Sequence, residues 1–104
     1  MNVKNFAEYV INNITRATLA NALNISNKLS STNFDNTNIY NIFEFFNYMN
    51  EYLKNLNNFD VMKLYKIIIA SNECEKKLKS DVKYNEIMVI DDFIISLWEI
   101  CNGH

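Results

Sequence analysis

The chain runs for 104 residues without a proline and with a single glycine, Gly103, beside its last residue. Tight β-turns draw heavily on those two residue types, and a many-stranded sandwich or barrel needs such a turn every ten residues or so. A sequence without them is steered toward long helices joined by polar loops, in which Asn, Ser, Thr and Asp act as caps. With 49% hydrophobic residues, the chain is long enough to bury one core without staples, so we expect a single all-helical domain of four to five helices spanning residues 1–104. Asparagine interleaves with the apolar residues throughout. Its abundance therefore reads as the codon bias of an AT-rich gene, not as a functional tract.

From Val3 to Leu29 the apolar residues recur at spacings of three and four, the period of one helical face. The phase drifts near Thr15 to Thr18, leaving two readings: one long curved helix, or two helices with a break. Arg16 lies in this zone and reads as a solvated surface residue. Ser30 to Asn38 is a polar loop with Phe34 tucked onto the bundle, and Thr37 or Asn38 is the expected cap of the next helix.

The helix expected over Ile39 to Leu56 carries an apolar stripe through Ile42, Phe43, Phe46, Met49 and Leu53. Phe45, Tyr40, Tyr48 and Tyr52 widen it beyond half the circumference. A helix so aromatic either sits between two neighbours or shows a second face to a partner chain. A third helix follows from about Phe59 to Lys79, capped by Asn58 or Asp60. Its charged end suggests i,i+4 pairs from Glu73 to Lys77 and Glu75 to Lys79. After a short turn, Asn85 caps a closing helix from Glu86 to Cys101, with Asn102-Gly103 as the stop. Ile87 to Ile90 in isolation would also suit a strand. So apolar a closing helix exceeds what a small domain can cover, and partner contact is the natural expectation.

Chemistry is hard to find. One glycine cannot build a phosphate-binding loop, and the only histidine, His104, is the terminal residue, too frayed for a triad. Cys101 and His104 lack a second ligand pair for a metal. Asp91 and Asp92 are helix neighbours pointing about 100° apart, wrong for sharing a proton or an ion. No catalytic, cofactor or metal residue is therefore expected, nor a small-molecule substrate. The net charge of −2 gives no basic stripe for nucleic acid or a membrane surface. No apolar run reaches transmembrane length and no signal peptide opens the chain, so a cytoplasmic protein with Cys74 and Cys101 as reduced, semi-buried thiols is expected.

One resemblance sharpens this reading. Leu78, then Asn85, then Met88, Val89 and Ile90, then Asp92, Phe93, Ile94 and Ile95 follow without a gap the pattern that ends bacterial clamp-loader subunits of DNA polymerase III, most closely the delta-prime type. Ile87 departs from it, standing where that family often carries an acid, and the ATPase-like domains preceding the collar in a full subunit are not in this sequence. The resemblance implies a helical collar domain that packs beside clamp-loader ATPase subunits and does not hydrolyse ATP. A reading of another class is a self-associating helical accessory protein of viral or mobile-element type, a homodimer through the apolar surplus of the aromatic and closing helices. Under either, the expected partner-interface residues are Phe45, Tyr48, Tyr52, Asn85, Phe93, Leu97 and Trp98.

Overall fold

The computed structural model describes residues 3–31, 40–80 and 85–103. Five helices account for nearly all of them: α1 (Val3–Ile14), α2 (Leu19–Ser31), α3 (Tyr40–Lys54), α4 (Val61–Leu78) and α5 (Glu86–Cys101). The all-helical expectation holds, and the strand alternative at Ile87 to Ile90 does not arise, because these residues lie inside α5. Phe34, Thr37 and Asn38 fall outside the described residues. The radius of gyration, 12.8 Å, matches the roughly 13 Å of a compact globule of this length.

The drift near Thr15 is a break between two helices. α1 buries Val3, Phe6, Ala7, Val10, Ile11 and Ile14, a clean stripe that stops at Ile14. Thr18 then starts α2: its side-chain oxygen accepts the Asn21 backbone N–H at 3.2 Å, and its carbonyl takes the Ala22 N–H at 2.9 Å. The new phase buries Ala22, Ile25, Ser26 and Leu29 and turns Leu19 outward. Arg16 is exposed.

α3 packs between α1 and α4. Phe45 and Phe46 are adjacent and so point about 100° apart, yet both are buried, because α3 has neighbours on two sides. Phe45 meets Phe6 of α1 at 5.9 Å between ring centroids, and Phe46 meets Phe93 of α5 edge-on at 4.9 Å. These separations are favourable for aromatic pairs, and they tie three helices together. α1 packs mainly on α3, whereas α5 packs on both α2 and α4. Of the two readings of the aromatic helix, this satisfies the one that puts it between neighbours.

The ends of α4 and α5 are set by side chains. The Asp60 carboxylate accepts the Met62 and Lys63 backbone N–H groups at 2.8 and 3.4 Å, and Asn85 accepts that of Met88 at 3.2 Å. Each satisfies backbone donors left unpaired in a first helical turn. At the far end of α5, Gly103 takes φ +76°, the left-handed conformation that stops a helix and that glycine adopts without penalty.

Candidate interaction surface

Of the residues expected at an interface, Phe45, Phe93 and Leu97 are enclosed by the chain's own helices and offer a partner no surface. The reason is geometric. α5 buries Val89, Ile90, Phe93, Ile94 and Leu97 in a contiguous stripe, against α2 on one side and α4 on the other. Trp98 is half-buried, and its indole N–H donates to the Ala17 carbonyl at 2.7 Å. Beside it, the Asn102 amide donates to the Ile14 carbonyl at 3.0 Å and to the Trp98 carbonyl at 2.8 Å. The end of α5 thereby satisfies two carbonyls freed by the break between α1 and α2. Asn85 is exposed and occupied as a cap.

Tyr48 and Tyr52 do reach the surface. They line a groove of about 300 Å³ with Lys4, Glu8, Glu51 and Asn55, between α1 and α3. Tyr52 is held there by donating its hydroxyl to Asn12 Oδ1 at 3.1 Å.

The apolar surplus lies on a helix from which the sequence reading expected no interface. On α4, Val61, Met62, Tyr65 and Ile69 are 75%, 63%, 60% and 41% exposed. Their spacing sets them along one stripe, opposite the face of Ile67, Ser71 and Cys74 that meets the core. α4 therefore leaves large apolar side chains outward while two of its three buried positions, Ser71 and Cys74, are small, beside the buried Ile67. Ile87 and Met88, in the first turn of α5, are also exposed.

The α4 stripe carries charge along its edge. Lys63, Lys66, Lys76 and Lys77 stand against Glu73 and Glu75 on this helix, within a chain of net charge −2. Glu75 pairs with Lys79 at 3.7 Å, as the spacing predicts; the companion pair of Glu73 with Lys77 is not among the ion pairs of the described residues. Lys79 also lies 4.5 Å from the Phe43 ring, within cation–π range.

Both cysteines are free thiols. Burial pushes Cys74 up to about 12, with Lys77 opposing and Glu75 and Asp92 reinforcing the rise. Burial likewise pushes Cys101 up to about 11, against the pull of Lys63. Thiols so protonated are poor nucleophiles and poor metal ligands. A cleft of about 70 Å³ over Cys74, bordered by Glu73, Lys77 and Asp92, is too small for more than a few water molecules. Asp91 accepts the hydroxyl proton of buried Ser26, which ties α2 to α5 and occupies the carboxylate structurally. Among the described residues no cluster of three His, Cys, Asp or Glu side chains is arranged to hold a metal, and no helix is long and apolar enough to cross a membrane.

Against known protein families, curated proteins and solved structures, the chain finds no match.

Proposed function

We propose that the chain is a non-catalytic protein–protein assembly domain whose contact face is the outer side of α4. The observation that carries this is the stripe of Val61, Met62, Tyr65 and Ile69, large apolar side chains left in water on one face of a well-capped helix. Scattered exposed apolar residues are ordinary; a contiguous stripe edged by charge is the usual composition of a contact surface. Two protonated thiols without a disulfide fit work in the cytoplasm.

The resemblance at Leu78 to Ile95 supplies one partner class, the ATPase subunits of a DNA polymerase III clamp loader, beside which this chain would act as a collar element. A second copy of the chain is the other class. Light scattering on the purified chain, alone and mixed with such subunits, tests the proposal against the Tyr65→Ser/Ile69→Ser variant. A complex of defined mass that the variant cannot form is expected. If the chain stays monomeric at millimolar concentration and ignores the subunits, the assembly reading fails.

A further inference from the structure

We infer that the partner covering α4 is a second copy of this chain, its α4 packed antiparallel about a two-fold axis that passes between the two helices at the level between Ile69 and Ala70. This rests on the assembly reading above and adds the occupant and its register. A two-fold contact must be self-complementary, since a contact of one residue with another is repeated with the two roles exchanged across the axis. Lys66 and Glu73 supply that property. They are seven residues apart, so they lie on the same flank of the helix, about 10.5 Å apart along its length. An antiparallel neighbour centred midway between them brings each Lys66 opposite the partner's Glu73, giving two ion pairs per dimer. Both side chains are exposed, and neither is in an ion pair among the described residues.

The apolar stripe agrees with the same axis. Ile69, beside the axis, meets its own copy. Tyr65 falls at the level of residue 74 of the partner helix, between the outward-facing Asn72 and Lys76, and Met62 falls at that of Lys77, beside Lys76, whose methylene stem can lie along an apolar surface while its charge stays in water. The division of α4 into an apolar first half and a polar, charged second half then has a use, because antiparallel pairing sets each half against the other. An axis through Tyr65 would stack more apolar surface but would bring Lys66 against its own copy. The charges therefore select the register near Ile69. A single helix pair is a small interface, and its ion pairs are exposed, so the dimer is expected to be weak and to loosen with salt.

Sedimentation equilibrium on the wild-type chain, Lys66→Glu, Glu73→Lys and the double exchange tests this, with circular dichroism confirming that each surface variant is folded. Each single exchange turns two attractive contacts into two repulsive ones and is expected to raise the dimer dissociation constant by about tenfold. The double exchange restores the pairs with their signs reversed and is expected to return to within about threefold of wild type. A dimer indifferent to all three exchanges, or a double variant no tighter than the singles, overturns this register and leaves the assembly reading standing. A wild-type chain that is monomeric alone but binds clamp-loader subunits through α4 overturns the second-copy inference only, whereas one that does neither ends both.

Discussion

At the level of single residues, polar side chains decide how this bundle closes. Trp98 looks in the sequence like an interface anchor, being large, amphipathic and near the end of an apolar helix. Its indole N–H instead reaches the Ala17 carbonyl, 81 residues away in the chain. No periodicity argument can reveal such a bond, because it depends on how the closing helix lies over the break. Trp98→Phe keeps most of the apolar surface and leaves that carbonyl unpaired, so it should cost about 1–3 kcal/mol of stability, read as a lower denaturant midpoint with an unchanged slope. Association, measured on the same samples, should not change. The cysteines give a pH prediction. A thiol near 12 in the fold against 9.0 outside it holds its proton more tightly when folded, so the unfolded chain deprotonates first. The contribution of Cys74 to stability is thus complete below pH 9 and is lost as pH rises from there toward 12. Chemical denaturation from pH 8 to 11 should show a steeper alkaline loss in wild type than in Cys74→Val. Parallel curves would refute the assignment.

At the level of elements, three of the five helices, α3, α4 and α5, follow from the pattern of apolar residues with boundaries no more than two residues off; the cap Asn85 was legible from residue type, whereas at α4 residue type left Asn58 and Asp60 open and the geometry selects Asp60. The break at Thr15 to Thr18 was visible as a phase drift; choosing between a bend and a break needed Thr18 as a cap. The interface was less legible. Apolar richness on the aromatic and closing helices suggested surplus, but richness does not report how many neighbours a helix has. α3 and α5 each pack between other helices, which consumes Phe45, Phe93 and Leu97. The readable signal was in α4, whose apolar residues surround the helix on all sides while its core-facing positions include Ser71 and Cys74. Two substitutions on this helix should separate its faces. Ile67→Ala, fully buried, is expected to cost about 2–4 kcal/mol through the cavity it leaves. Val61→Ser, 75% exposed, should change the isolated chain's unfolding free energy by no more than about 0.5 kcal/mol. Equal costs would mean that both faces are enclosed.

For the whole molecule, the described helices form one packed core threaded by aromatic contacts from Phe6 through Phe45 and Phe46 to Phe93. That core is built without α4's outer face, so the exposed stripe is free to serve association. The measurement that bears most directly on this is an amide and methyl chemical-shift series recorded as the protein is diluted from millimolar to micromolar concentration. We expect concentration-dependent shifts confined to the outer face of α4, at Val61, Met62, Tyr65, Lys66, Ile69, Asn72, Glu73 and Lys76. Spectra unchanged by dilution, or shifts centred instead on Tyr48 and Tyr52 in the groove between α1 and α3, would contradict the account.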